Sequence, residues 1–172
     1  MFNFSNIQAH TEPFSHIIID NFLNDGDEVL KQWDNLAWIS EYRSKFLEQS
    51  NINLLKTELS NYFTNFNWDT KVVELLRNSH TFPNLQLIRG SHLDGIDKVY
   101  NAVIYFDDIH QNNPKHAGSF QIMEDTDDNK TPLKTIEYIH NRAVFFECTN
   151  ISYHRFWSRP PYRLNFSLSL IK

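Results

Sequence analysis

Hydrophobic positions change their spacing about halfway along the chain. Up to about residue 80 the apolar residues recur mostly at three- and four-residue intervals, which favours helices that bury one face. Beyond Pro83 the apolar residues alternate with polar ones or form short runs bounded by turn residues, as strands do. Helices followed by many short strands predict an α+β protein whose strands close into a barrel or jelly roll.

The N-terminal half predicts one strand and three helices. Asn24 or Asp25 is a suitable N-cap for the first helix, because short polar side chains accept hydrogen bonds from free backbone N–H groups. We assign all three helices a packing role and no chemistry. The predicted segments are a strand over 16–20 and helices over 27–38, about 41–66 and about 70–78.

Six short runs in the C-terminal half predict strands. Polar segments over 107–118 and 124–132 separate some of them and are predicted to be surface loops that shape access to a site. We expect a single domain over 1–172, with a strand and supporting helices over about 15–80 and a jelly-roll core over about 84–172. The six runs are NLQLIRG, KVYNAVIYFDD, GSFQIME, KTIEYI, RAVFFECT and YRLNFSLSLI.

Alternation along the last run assigns its two faces. From Tyr162 the even positions are apolar, whereas the odd positions are Arg163, Asn165, Ser167 and Ser169. A half-buried strand has this pattern. If the helices cover the apolar face, Arg163 points into the barrel. By the same rule Asn101, Val103 and Tyr105 share one face of an earlier strand.

Composition narrows the class of protein. The 172 residues suffice for one domain, and 41% of them are hydrophobic, as in ordinary globular proteins. The single cysteine, Cys148, excludes an internal disulfide and fits a reducing compartment. No apolar run is long enough to cross a membrane and no secretory signal is recognised, so we expect a cytoplasmic protein without a membrane partner. Nothing in the sequence indicates an oligomeric state.

Charge is unevenly distributed. The net charge of −5 argues against nucleic acid as a partner, because its recognition depends on clustered lysine and arginine. The C-terminal segment is the exception, since from Cys148 onward its only charged residues are Arg155, Arg159, Arg163 and Lys172. A small basic area in an acidic protein suits a small anion better than a polymer.

Three residues form a candidate metal site. His92 and Asp94 are separated by one residue after a predicted strand, so both side chains can chelate one ion. His154 follows 60 residues after Asp94, just past another predicted strand. Two histidines and one carboxylate form the facial triad of non-haem Fe(II) oxygenases, which leaves three coordination positions open. Hydrolytic zinc chemistry could use the same three ligands, but Arg163 would then have no purpose.

The order of these residues resembles a known superfamily. His92-x-Asp94, then His154, then Arg163 nine positions on, is similar to the 2-oxoglutarate- and Fe(II)-dependent dioxygenases, and within them to the prolyl 4-hydroxylase-like branch. The resemblance covers nearly the whole chain and is specific from residue 85 to 168. Three further stretches carry it: Val103-Ile104-Tyr105-Phe106-Asp107, Ala117-Gly118-Ser119-Phe120 with one glycine of the pattern replaced, and the opening PFSHIIIDNFLNDGD.

The resemblance implies a role for particular residues. Fe(II) would be held by His92, Asp94 and His154. Arg163 would pair with the distal carboxylate of the cosubstrate 2-oxoglutarate, to which Tyr105 would donate its hydroxyl. Asn165 stands where the family often has serine or threonine, and Asn101 is a further candidate for the oxoglutarate site. Arg155 and Arg159 receive no role and are expected to be solvated neighbours.

The implied reaction uses O2 and 2-oxoglutarate to hydroxylate a C–H bond, yielding succinate and CO2. The first hypothesis for the substrate is a prolyl residue of a peptide or protein. An oxygenase of the same superfamily that acts on a small molecule or another side chain is the second. The third hypothesis is a cupin-like metal-binding domain without turnover, against which the four intact residues of the site argue.

Overall fold

The computed structural model of the chain describes residues 1–81, 87–106, 118–158 and 162–172. Within these residues lie three helices and ten strands, mostly in the order that the sequence predicts. The helices are α1 (Gly26–Lys31), α2 (Leu36–Phe46) and α3 (Gln49–Ser60). The strands are β1 (Ile7–His10), β2 (His16–Ile19), β3 (Lys71–Thr81), β4 (Leu87–His92), β5 (Lys98–Phe106), β6 (Phe120–Ile122), β7 (Lys134–Ile136), β8 (Ala143–Glu147), β9 (His154–Ser158) and β10 (Tyr162–Ile171).

The strands form two antiparallel sheets. The larger sheet has six strands in the order β1-β2-β8-β5-β10-β3, and the smaller has four in the order β4-β9-β6-β7. Strands from before and after residue 82 therefore share the larger sheet. The α+β class is confirmed, as are the strand predicted near 16–20 and strands within all six C-terminal runs.

The helices pack on one face of the larger sheet. The even positions of β10, from Leu164 to Leu170, are buried in a core that also contains residues of the helices. Trp33 contacts Phe166 with ring centroids 5.3 Å apart, and Phe166 contacts Phe106 edge-on at 5.0 Å. The predicted apolar face of the last strand is therefore confirmed. Burial of such side chains is the main favourable term in packing a helix on a sheet.

The polar face of β10 lies on the opposite side of the sheet. Arg163 and Asn165 are buried, Ser167 and Ser169 are half-buried, and all four line a cavity between the two sheets. The parity argument therefore placed Arg163 correctly. Asn101 and Val103 of β5 line the same cavity, as their shared face requires.

The third predicted helix, over about 70–78, is wrong. This segment belongs to β3, which pairs antiparallel with β10 from Tyr162↔Thr81 to Ile171↔Lys71. Its apolar doublets satisfy the spacing of a helix as well as that of a strand, so periodicity alone cannot separate the two. The partner strand lies some 90 residues away in sequence, and its ladder of backbone hydrogen bonds decides the conformation.

The boundaries of the other two predicted helices also change. The segment 27–38 is interrupted after Lys31, and the side chain of Asn35 accepts a hydrogen bond from the backbone N–H of Trp38 to begin α2. The segment 41–66 contains the end of α2 and all of α3. Strands β1 and β9 were not predicted, because each is short and takes its conformation from a neighbouring strand.

The loop predicted over 124–132 is present, with several exposed residues. The loop predicted over 107–118 lies outside the described residues except for Gly118. None of the helices in the described part of the chain has the length and apolar character needed to cross a membrane.

Candidate metal centre

Pairing of two strands brings the candidate ligands together. His92 is the last residue of β4 and His154 is the first residue of β9, and the two lie directly opposite each other in the smaller sheet. Asp94 follows β4 by two residues. Side chains opposite each other on neighbouring strands are close enough for direct contact. The sheet therefore joins His92 and His154, which are 62 residues apart in sequence.

The three side chains converge on one point. Their ligand atoms lie within 4.8 Å of one another. His154 Nε2 is 3.7 Å from Asp94 Oδ2, and the ring centroids of His92 and His154 are 4.5 Å apart. Among the described residues, this is the one group of three or more such side chains close enough to hold a metal ion.

Backbone carbonyls orient both imidazole rings. His92 Nδ1 lies 2.9 Å from the carbonyl oxygen of Gly90, and His154 Nδ1 lies 2.9 Å from that of Ser152. A neutral imidazole whose Nδ1–H is donated in this way presents its Nε2 lone pair as a metal ligand. Each ring is thus fixed by the residue two positions before it.

Three neighbours contact the carboxylate of Asp94. Lys98 Nζ lies 3.1 Å from Oδ1, and Asn101 donates its amide N–H to Oδ2 at 3.0 Å. Desolvation disfavours the ionised carboxyl, but the charge of His154, the Asn101 hydrogen bond and the charge of Lys98 together lower the pKa of Asp94. Asp94 is therefore ionised at neutral pH, as a metal ligand must be.

Cys148 is the third neighbour of Asp94. Its thiol donates to Asp94 Oδ2 over 3.7 Å. Burial, reinforced by the negative charge of Asp94, raises the pKa of this thiol well above its usual value. Cys148 is consequently a neutral donor to the carboxylate and is not poised to act as a thiolate nucleophile.

The donor set fits a divalent metal with open positions. Two imidazole nitrogens and one carboxylate oxygen on one side of a site suit Fe(II) in an octahedral arrangement, with three positions left for small ligands. The same donors can also hold Zn(II). What separates the two uses is the rest of the cavity.

Arg163 is buried in the wall of the same cavity, with only 4% of its surface exposed. Its Nε donates to the carbonyl oxygen of Gly118 at 3.1 Å, and its Nη1 donates to Asn165 Oδ1 at 2.9 Å. Its Nη2 lies 3.4 Å from the hydroxyl of Tyr105, and the guanidinium carbon lies 4.4 Å from the centroid of Phe156. Among the described residues no carboxylate contacts Arg163, so none of them neutralises this buried cation and an anion in the cavity could pair with it.

Tyr105 and Asn165 both contact the guanidinium of Arg163, but only Asn165 also lines the cavity. Tyr105 is fully buried among apolar residues behind the guanidinium and is not part of the cavity wall. Burial raises the pKa of its phenol despite the opposing charge of Arg163, so the hydroxyl stays protonated. Asn165 does line the cavity, and its amide N–H donates to Ser167 Oγ at 3.0 Å.

Asn101 faces the metal ligands. Its Oδ1 accepts from the backbone N–H of Ala102 at 3.0 Å and from Ser169 Oγ at 3.1 Å. With its oxygen held by two donors, the amide nitrogen can only point toward Asp94. Asn101 thus lies at the Asp94 end of the cavity wall, while Asn165 lies at the Arg163 end.

The cavity has a volume of about 250 Å³. The apolar side chains of its wall include Val103, Phe120, Phe146 and Phe156; Phe120 and Phe146 pack against His154, and Phe156 packs against Arg163. A small, half-apolar chamber with a cation at one end and metal ligands in its wall can bind a short anion whose other end reaches the metal.

Sequence reasoning missed Lys98, Cys148 and Arg155. Lys98 and Cys148 had no motif, and only the folded strands bring them to Asp94. Arg155, expected to be solvated, is 4% exposed and is hydrogen-bonded to Gln121 Oε1 at 2.8 Å. The one sequence feature that could have indicated a buried Arg155 is its position directly after His154 on the predicted barrel. Arg159 lies outside the described residues.

The chain matches no established family profile and no curated protein sequence. It is similar to solved structures of oxygenases. A prolyl hydroxylase from Trichoplax adhaerens, in complex with a hypoxia inducible factor oxygen degradation domain peptide fragment, is 13% identical with a TM-score of 0.57 over 91% of this chain and 83% of that one. A Pseudomonas putida prolyl-4-hydroxylase is 14% identical, with a TM-score of 0.57 over 91% and 84%.

A third similar structure is an oxidoreductase of the 2OG-Fe(II) oxygenase family from Burkholderia pseudomallei. It is 11% identical, with a TM-score of 0.51 over 96% of this chain and 72% of that one. At such identities the similarity concerns the fold. The chain has the fold of these oxygenases, and the resemblance drawn from its sequence motifs is confirmed at that level.

Proposed function

We propose that the protein is a 2-oxoglutarate- and Fe(II)-dependent dioxygenase that hydroxylates a C–H bond, with a prolyl residue of a peptide or protein as its substrate. One observation carries the proposal. The three ligand candidates His92, Asp94 and His154 face the same small cavity as the buried cation of Arg163. An oxygenase that uses 2-oxoglutarate needs a cation for the distal carboxylate of this cosubstrate, and Arg163 supplies one.

The strand order supports a double-stranded β-helix. If β3 to β10 are counted as its eight strands, the first, third, sixth and eighth lie in the larger sheet and the second, fourth, fifth and seventh in the smaller one. Consecutive strands thus cross repeatedly between two facing sheets, as in jelly-roll barrels. On this proposal, β1, β2 and the helices extend and cover the larger sheet, and residues 1–172 form one domain.

The metal would be held by the Nε2 atoms of His92 and His154 and a carboxylate oxygen of Asp94. Fe(II) with bound 2-oxoglutarate supplies the oxidising chemistry, in which decarboxylation to succinate and CO2 places one oxygen atom of O2 on the substrate carbon. The chain itself orients the two imidazoles through the Gly90 and Ser152 carbonyls, and it keeps Asp94 ionised.

Arg163 would bind the distal carboxylate of 2-oxoglutarate through its two terminal nitrogens. Its Nε is already occupied by Gly118, so the carboxylate has to approach Nη1 and Nη2 end-on. A planar guanidinium forms two parallel hydrogen bonds in this geometry. Tyr105, behind the guanidinium, would act by holding Nη2 in place, while Asn165 and Asn101 would contact the bound molecule from the cavity wall.

The apolar part of the wall would enclose the methylene groups of the cosubstrate. Val103, Phe120 and Phe146 line the cavity that Arg163 and the metal-ligand candidates share. Excluding water there strengthens the pairing of a carboxylate with Arg163, because charges attract more strongly at low dielectric.

The peptide substrate is inferred from fold and analogy. The similar Trichoplax adhaerens enzyme is in complex with a peptide fragment. Its one cysteine, Cys148, is half-buried beside the candidate metal ligands and has no partner for an internal disulfide, which suits a reducing compartment, and we propose a cytoplasmic location.

Succinate release tests the proposal. The purified protein is incubated with Fe(II), 2-oxoglutarate and O2, together with proline-containing peptides, the same peptides with alanine in place of proline, free amino acids or nucleosides. We expect succinate above the uncoupled background with prolyl peptides, and none of this increase in the His154→Ala variant. Faster succinate formation with a free amino acid than with any peptide would refute the prolyl peptide substrate.

Metal and cosubstrate binding separate the enzyme from a metal-binding domain without turnover. Anaerobic addition of Fe(II) and 2-oxoglutarate should produce a weak visible charge-transfer band that His154→Ala abolishes and Arg163→Ala weakens. If both variants behave like the wild-type protein, the assigned site is wrong.

A further inference from the structure

A β-bulge lies immediately before the first candidate ligand. In the pairing of β4 with β9, Gly90 and Ser91 lie opposite the single residue Arg155. Two residues opposing one is the defining count of a bulge, and bulges near active sites re-aim side chains. Without the extra residue, Ser91 rather than His92 would lie opposite His154.

A side chain from the loop over 124–132 holds this bulge. The backbone N–H of Ser91 donates to Asp128 Oδ1 at 2.6 Å, in place of a partner on the neighbouring strand. The carbonyl of the other bulge residue, Gly90, accepts from His92 Nδ1 at 2.9 Å. The bulge held by Asp128 is therefore the same piece of backbone that orients the His92 ring.

Gly90 allows the carboxylate to approach this closely. A Cβ atom at position 90 would lie 2.9 Å from Asp128 Oδ2, which is too short for an undisturbed contact. Any side chain at this position would push the carboxylate away from the bulge. The glycine and the aspartate thus form a matched pair across 38 residues of sequence.

Asp128 also reaches the strand that carries the other histidine. Arg155 Nη1 donates to the backbone carbonyl of Asp128 and lies 3.6 Å from its Oδ1. Arg155 Nη2 donates to the carbonyl of Lys130 at 3.4 Å, which is a second hydrogen bond from Arg155 to the loop over 124–132. Arg155 directly follows His154, so the loop joins the backbone beside both histidines.

We propose that Asp128 is a positioning residue for His92, acting through the Gly90–Ser91 bulge. Its carboxylate fixes the bulge, the Gly90 carbonyl then fixes the imidazole, and Nε2 is aimed at the point shared with Asp94 and His154. The loop over 124–132 is in this respect part of the metal centre rather than a spacer. The inference rests on the proposed function in that it presupposes a metal bound by His92.

Metal affinity of the resting protein is the first readout. Co(II) binding to the full chain is measured by isothermal titration calorimetry, with circular dichroism to verify folding. Loss of a group that orients a ligand typically weakens metal binding by about 10- to 100-fold, and we expect this of Asp128→Ala. Asp128→Asn should bind nearly as well as wild type, because its amide oxygen can still accept from the Ser91 N–H.

The matched control is Asp127→Ala. It removes the same charge from the same loop, but the Asp127 carboxylate contacts Asn129 and not the bulge. We expect wild-type affinity for this variant. Gly90→Ala disturbs the same contact from the strand, because the added Cβ atom would displace the Asp128 carboxylate, and it should weaken Co(II) binding as Asp128→Ala does. If one of these two variants folds poorly, the other still tests the inference.

The second readout needs no metal. Long-range ¹H–¹⁵N NMR of the metal-free protein reports which ring nitrogen of His92 carries the proton. We expect the Nδ1–H form in wild type and Asp128→Asn, and a mixture of both forms in Asp128→Ala and Gly90→Ala. An effect on global stability alone would not move this signal.

Several results would overturn the inference. Wild-type Co(II) affinity and an unchanged His92 tautomer in Asp128→Ala would do so. Equal weakening by Asp127→Ala, or failure of Asp128→Asn to restore binding, would assign the effect to charge instead. If the wild-type protein itself binds no Co(II), the metal centre of the proposed function is wrong, and the tautomer measurement still decides whether Asp128 orients His92.

Discussion

Replacing Arg163 with lysine tests the anion site while keeping its charge. Arginine has five N–H donors, and three of those of Arg163 are used by Gly118, Asn165 and Tyr105. One N–H remains on each terminal nitrogen, which allows two parallel hydrogen bonds to one carboxylate. A lysine ammonium on a flexible stem can replace one of these bonds but cannot reproduce the pair.

The expected loss follows from this count. A hydrogen bond to a charged group contributes about 1.5–3 kcal/mol. Losing one of the two bonds should weaken 2-oxoglutarate binding by roughly 10- to 150-fold, since 1.4 kcal/mol corresponds to a factor of ten. The affinity for Co(II) alone should stay unchanged, because Arg163 is not a ligand candidate.

Calorimetric titration of 2-oxoglutarate into the Co(II)-loaded protein measures the effect. Arg77→Lys is the matched control, because Arg77 also lies over an aromatic ring, 4.9 Å from the centroid of Trp33, but outside the cavity wall. We expect wild-type affinity for this control. An Arg163→Lys protein that binds 2-oxoglutarate within about threefold of wild type, a difference below about 0.7 kcal/mol, would refute the end-on pairing.

Two further predictions concern stability. Phe166→Ala should lower the free energy of unfolding by about 3–5 kcal/mol in urea titrations, because this fully buried ring packs against both Trp33 and Phe106. A loss below about 1 kcal/mol would contradict its place in the core. Burial lowers the pKa of His16 to about 4, and Lys134 Nζ lies 3.0 Å from its Nε2. The folded state therefore disfavours protonated His16, so stability should fall as the pH drops from about 6.5 to 4, and the slope should be smaller in His16→Gln.

The sequence by itself determined which faces of the strands carry chemistry. Strict alternation in β10 put Arg163 and Asn165 on the side opposite the apolar residues, and the His92-x-Asp94 spacing indicated a chelating pair. Such features depend on a period of two along one strand, which needs no knowledge of the partner strands. The motif order was then sufficient to suggest the oxygenase fold.

Tertiary structure decided what local pattern leaves ambiguous. Lys71–Thr81 is a strand only because β10 pairs with it, and a register change of one residue places His92 rather than Ser91 opposite His154. Arg155 is buried and holds the loop through the Asp128 carbonyl, 27 residues away, and Asp128 accepts from the Ser91 N–H of the bulge, 37 residues away. Backbone pairing and burial between distant segments carry no local periodicity, so a single sequence does not display them.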